Sequence, residues 1–174
     1  MVKRNLVGKH VDLLELVKNR RDAFVFLPEP VPEQMVEEIL EIAGYAPCRW
    51  GGDAVRFVVV RNKALIRQLS ECKSMGAGPL IYCNVAIIPV IDRAQSQLWR
   101  EDLSVVSTYI MLACEERGLG CNWIHMDGRM GPDGTGKTAV EAMRELLDIP
   151  EEYRILNILA IGYNRRLQPE ATEF

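Results

Sequence analysis

Residues 99–118, WREDLSVVSTYIMLACEERG, read as one helix of about five turns. Its apolar and small side chains cover most of the circumference, not a single stripe, so the helix must be buried on several sides. One sheet cannot cover that much apolar surface, so the helix needs cover beyond it.

The other elements follow from periodicity and punctuation. DLLELVKNRRD reads as a helix with Leu13, Leu14, Leu16 and Val17 as its apolar stripe. VPEQMVEEILEIAGYAP starts with a proline suited to a first helical turn and puts Met35, Val36, Ile39, Leu40 and Ala43 on one face. VRFVVV and YCNVAIIPVID read as buried strands, with the helical KALIRQLSECKS between them. LGCNWIHM is a third strand after the helix-terminating Gly118 and Gly120; TAVEAMRELLD is a helix and RILNILAIGY a fourth strand. Strands separated by helices suggest a wound sheet whose strand directions stay open. The 174 residues are expected to form a single domain, 1–174.

Composition excludes several classes. The net charge of −3 arises from 24 acidic and 21 basic residues spread along the chain, so nucleic acid is not an expected partner. The longest apolar stretch, PLIYCNVAIIPVI, is too short to span a bilayer and holds Asn84 and two prolines; with Asp12 and Glu15 interrupting any signal sequence, a soluble cytoplasmic protein without a membrane partner is expected. Five cysteines contain no C-x-x-C pair, and His10 and His125 are the only histidines, so no metal site is expected.

GPDGTGKT, residues 131–138, matches a phosphate-cradling loop at every position, which makes a P-loop nucleotide triphosphatase one alternative. Such an enzyme needs a later strand ending in a metal-binding carboxylate, whereas the only later strand ends in Gly162-Tyr163. The segment is therefore expected to be a glycine-rich surface connection, with Thr138 capping the following helix.

Four blocks, taken in order, resemble the nitroreductase family of FMN-dependent NAD(P)H oxidoreductases. LVKNRRDAFVF is similar to the family's opening helix running into Arg-Arg-Ser-x-Arg; VPEQMVEEILEIAGYAPCRWGGDAVRFVVV resembles its helix, Ala-Pro-Ser/Thr turn and following strand. DLSVVSTYIMLACEERGLGCNWI is similar to the buried helix ending in Gly-Leu-Gly, and AMRELLDIPEEYRILNILAIGY resembles the Ile-Pro-Glu-x-Tyr turn and the strand ending in Gly-Tyr. The resemblance implies an α+β fold with a helix-flanked, mostly antiparallel central sheet, homodimeric, with two flavin sites formed by both subunits.

It also implies site residues. Arg20 and Arg21 match phosphate-contacting arginines, a task suited to the guanidinium fork. Pro47, Cys48, Arg49, Trp50 and Gly51 fall in the segment expected to address the flavin, where Trp50 could stack on the ring. His125 and Met126 fall where the family places backbone donors near the ring's N5. FMN itself carries the hydride chemistry, so no catalytic side chain is assigned. The implied function is electron transfer from NAD(P)H to a quinone, nitroaromatic or similar acceptor by a ping-pong mechanism. Asp22 in place of a serine, Phe24 in place of an arginine, and GGDAV in place of a polar Asn-x-Gln segment motivate a second alternative: a dimer of this fold that has lost FMN and acts as a binding or regulatory module.

Overall fold

The computed structural model describes residues 12–48 and 54–164. The chain runs α1 (Leu13–Asn19), α2 (Glu33–Gly44), β1 (Val55–Val60), α3 (Lys63–Glu71), α4 (Gly78–Tyr82), β2 (Val85–Asp92), α5 (Trp99–Glu116), β3 (Leu119–His125), α6 (Ala139–Leu147), β4 (Tyr153–Ile155) and β5 (Asn157–Tyr163). The strands form one sheet in the order β1-β2-β5-β3, with β4 also on β2, and every pairing is antiparallel. The alternation of strands and helices therefore belongs to an α+β sheet, not to a parallel wound one.

β2 is buried along nearly its whole length because it is covered on both faces, which is why it reads as a continuous apolar run. Ala86, Ile88 and Val90 meet Ile66, Leu69, Leu80 and Met143 in one core beside α3, α4 and α6. Val85, Ile87 and Ile91 meet Ile39, Ala43, Leu103, Val106 and Ile110 in the other, beneath α2 and α5. The period-2 alternation of a strand thus divides the molecule into two cores.

Two elements differ from the sequence expectation. The strand read as YCNVAIIPVID begins only at Val85, and its Tyr82 ends the short helix α4, which the sequence reading did not include and whose first turn holds Pro79. RILNILAIGY divides at Leu156, whose carbonyl leaves the ladder to accept the N–H groups of Met126 and Asp127 at 2.9 and 3.1 Å. Pro89 faces that break, between the β2 residues paired to β5 and those paired to β4. A residue without an N–H is tolerated in a central strand where the ladder is interrupted.

α2 and α5 run antiparallel: Arg117 at the end of α5 pairs with Glu38 at 3.2 Å, while Cys48, past the end of α2, reaches the carbonyl of Asp102 near the start of α5. One face of α5 is buried on the sheet, and Val105, Tyr109, Met111 and Leu112 remain half-buried. The apolar stripe of α1 is not covered by the described chain, since Leu13 and Leu14 are 66% and 58% exposed.

A pair of glycines controls how the chain crosses the sheet. Gly120 of β3 lies directly opposite Gly162 of β5. The segment after α1 joins the outer edge of β3 through Ala23 N–H to the Cys121 carbonyl at 3.0 Å. It then crosses the sheet face to bond Leu27 N–H to the Tyr163 carbonyl at 2.8 Å. A Cβ on Gly120 would lie 2.6 Å from the Cβ of Ala23; one on Gly162 would meet the Asn84 side-chain oxygen and lie 3.0 Å from the Cβ of Phe26. The two missing side chains are the space in which residues 23–26 lie. Gly162→Ala is expected to cost about 1–3 kcal/mol, read as a lower denaturation midpoint at an unchanged slope in urea.

Candidate functional site

Among the described residues β3 is the last strand of the sheet, paired along its inner side to β5. Among the described residues its outer edge is met only at Asp22 and Ala23, which bridge Cys121. Because the Cys121 carbonyl points outward and backbone groups alternate along an antiparallel strand, the N–H groups of Trp123 and His125 face the same open side. From Cys121 to His125 this edge extends about 13 Å at the rise of a strand. It is a row of backbone donors and acceptors that another group can pair.

Arg20 and Arg21 stand at one end of this edge, where the chain turns from α1 around β3. Arg20 pairs with Asp22 at 3.0 Å. Arg21 donates to the carbonyls of Lys18 and Arg20 at 2.6 and 2.8 Å, capping the end of α1, a placement the helix dipole favours. Both lie beside the last turn of α5: burial raises the pKa of Glu115, and the two guanidinium charges pull against that rise. Cys121 beneath them is fully enclosed. Its hydrogen bond with Cys114, then its burial, hold this thiol well above its ordinary pKa.

Pro47 and Cys48 lie elsewhere. Pro47 is exposed, and the Cys48 thiol sits 3.9 Å from the carbonyl of Asp102, one turn into α5. Asp102 and Glu115 are about 20 Å apart along the helix axis, so the Cys48 segment and the two arginines belong to opposite ends of α5. Burial, then the charge of Asp102, raises the Cys48 pKa, which leaves a protonated and poorly nucleophilic thiol. Arg49, Trp50 and Gly51 lie outside the described residues.

His125 closes the far end of the open edge. It is half-buried, and burial first, then the charge of Arg129, lowers its pKa, so it is more readily neutral than a free imidazole. The backbone groups of Met126 are already paired. Its side chain is fully buried, its N–H is donated to Leu156, and its carbonyl accepts from Arg129 at 3.1 Å. The backbone donor that remains at this end is the N–H of His125. Trp123 was not singled out by the sequence. Its contribution is an outward N–H, which only the pairing of β3 reveals.

The 131–138 segment is an exposed excursion between the paired residues Met130 and Thr138. Thr138 forms a reciprocal capping box with Glu141 at the start of α6, and Lys137 is engaged by Glu145. Gly131 packs where a Cβ would lie 2.5 Å from the Lys137 carbonyl. The lysine and hydroxyl of the motif are thus committed to helix α6, and the capping role expected of Thr138 is the one found.

The family model described as "Nitroreductase family" matches residues 17–77 and 84–163. This chain belongs to the nitroreductase family. A nitroreductase-family relative from Methanothermobacter thermautotrophicus, provisionally named an NADH dehydrogenase/NAD(P)H nitroreductase, is 30% identical over 160 residues, 88% of this chain and 78% of its own. A solved FMN-dependent nitroreductase from Clostridium difficile R20291 superposes with a TM-score of 0.82 at 32% identity, covering 88% of each chain. A nitroreductase from Desulfovibrio desulfuricans, solved in complex with FMN, shares the fold at a TM-score of 0.73 and 18% identity.

Thr138→Ala is expected to lower stability by about 1 kcal/mol through loss of the cap. Lys137→Ala removes only an exposed ion pair and should shift stability by ~0–1 kcal/mol. Urea denaturation of both variants checks the order; a larger loss in Lys137→Ala would contradict it.

Proposed function

We propose that this protein is an FMN-dependent oxidoreductase that takes electrons from NAD(P)H and delivers them to a quinone, nitroaromatic or similar acceptor in two successive half-reactions. The observation that carries this reading is the open edge of β3: a cationic corner at Arg20 and Arg21 and a row of outward backbone N–H groups. This donor set fits a long ligand with a phosphate at one end and a flat, hydrogen-bonding ring at the other.

FMN, when bound, supplies the hydride acceptor and donor of the reaction. The chain's own residues hold and orient it. Arg20 and Arg21 would grip the phosphate through charge-assisted hydrogen bonds, Arg21 exchanging its carbonyl partners on α1 for phosphate oxygens. The N–H groups of Trp123 and His125 would pair with polar atoms along the ligand, that of His125 at the ring. A neutral His125 imidazole adds no fixed charge beside the ring, and the substrate proton comes from solvent.

The site is shared between two copies of the chain in this reading. Support comes from the separation of the Cys48 segment from Arg20 and Arg21 within one chain, which a partner with α5 packed against α5 would reverse. Further support is the apolar groove of about 520 Å³ formed by Leu13, Leu16, Ile42, Tyr109 and Leu112 between α1, α2 and α5. Pro47 and Cys48 of one subunit would then face the β3 edge of the other. Light scattering at micromolar concentration should give twice the mass of 19.7 kDa; a monomer would remove the shared site.

The Arg20–Asp22 pair favours the second reading, a dimer without FMN, because the aspartate already neutralises one arginine and repels a phosphate. Titration of flavin-free protein with FMN, followed by fluorescence quenching, separates the two. Arg20→Ala and Arg21→Ala should each weaken FMN binding roughly tenfold or more, from loss of one charge-assisted contact of about 1.5–3 kcal/mol. Asp22→Ser should tighten it. An absence of binding in the wild type would favour the flavin-free module.

A further inference from the structure

A second concentration of positive charge lies at the His125 end of the β3 edge. The chain leaving β3 turns sharply through Gly128, at φ +64°, and the Arg129 N–H closes the turn on the Met126 carbonyl. Arg129 is thereby returned toward His125. The loop after α3 is tied alongside by the Ser74 N–H on the Met130 carbonyl at 3.2 Å, which brings in Lys73. The three groups act on one another: burial and then Arg129 lower the pKa of Lys73, while Arg129 and Lys73 both add to the lowering of His125, against an opposing pull from Asp127.

The carboxylate that acts on His125 is already engaged, since Asp127 pairs with Arg100 at 2.8 Å. Among the described residues no carboxylate pairs with Lys73 or Arg129. Like charges held together by backbone hydrogen bonds and left without a counter-charge raise the local concentration of anions. Their position matters as much as their sign. Arg20 and Arg21 mark the phosphate end of the edge, and Lys73 and Arg129 mark the other end, where substrate must approach the ring.

We propose that Lys73 and Arg129 form an anion subsite that recognises a phosphate or carboxylate on the molecule exchanging electrons with the flavin. The proposal rests on the FMN reading above. The anion has two chemical sources, the 2′-phosphate that distinguishes NADPH from NADH, or an acidic group on the electron acceptor. Both place negative charge beside the ring without a covalent step, so Lys73 and Arg129 set specificity and do not take part in the chemistry.

The test uses FMN-loaded protein, wild type and the variants Lys73→Ala, Arg129→Ala, the double substitution and Arg129→Lys. Anaerobic rapid mixing gives the second-order rate constants for reduction by NADPH and by NADH, and for reoxidation by a sulfonated naphthoquinone and by its uncharged parent. At least one of the two ratios, charged over uncharged, should fall roughly tenfold in the double variant, as expected for loss of a charge-assisted contact. Arg129→Lys should keep most of the wild-type ratio. A fall confined to the nucleotide ratio identifies the 2′-phosphate as the ligand, and one confined to the quinones identifies an acidic acceptor. In the wild type the same ratio should drop as ionic strength rises, which needs no variant to fold. Ratios that ignore both salt and substitution while the flavin stays bound would overturn the subsite and leave the FMN reading standing. A wild-type protein that takes up no FMN would overturn both.

Discussion

The close passage of residues 23–26 over Gly120 and Gly162 is the contact on which the rest of this arrangement depends. Backbone passes over backbone there because neither glycine has a Cβ. Without that passage the chain leaving α1 could not round the β3 edge, bond Cys121 on its outer side and Tyr163 beyond β5, and so place Arg20 and Arg21 at the corner of the sheet. The same two glycines stand in the Gly-Leu-Gly and Gly-Tyr segments of the sequence. Their physical role is the clearance beneath this strap.

The open edge of β3 then becomes polarised by what lies at its ends. At one end are two arginines, one already balanced by Asp22 and one resting on helix carbonyls. At the other are Lys73 and Arg129, drawn together by a turn and a cross-loop hydrogen bond. Between them are backbone groups of a strand that, among the described residues, has β5 as its one strand partner. An exposed strand edge is a liability unless something covers it, and in this protein a ligand and a second subunit are the proposed cover.

Much of this was legible in the sequence because it rests on local chemistry. The apolar runs VRFVVV and YCNVAIIPVID predict buried strands, Thr138 at the head of TAVEAMRELLD predicts a cap, and the apolar circumference of residues 99–118 predicts a helix needing cover. What escaped depends on pairing between distant segments. The outward direction of the Trp123 and His125 N–H groups follows from the bridge Asp22↔Cys121, about a hundred residues apart in the chain and invisible to periodicity. The pairing of the Met126 N–H was hidden for the same reason, since it is claimed by Leu156, a residue whose departure from the strand no pattern announces. Nothing in the sequence singles out Lys73 or Arg129; the Ser74–Met130 hydrogen bond brings their loops together.

Amide hydrogen exchange along β3, with and without saturating FMN, addresses the β3 edge most directly. Gly120, Asn122 and Ile124 face β5 and should be protected in both states, whereas the amides of Trp123 and His125 should exchange readily without FMN and become protected when it binds. FMN bound with no added protection at Trp123 and His125 would contradict the assignment of this edge as the flavin site.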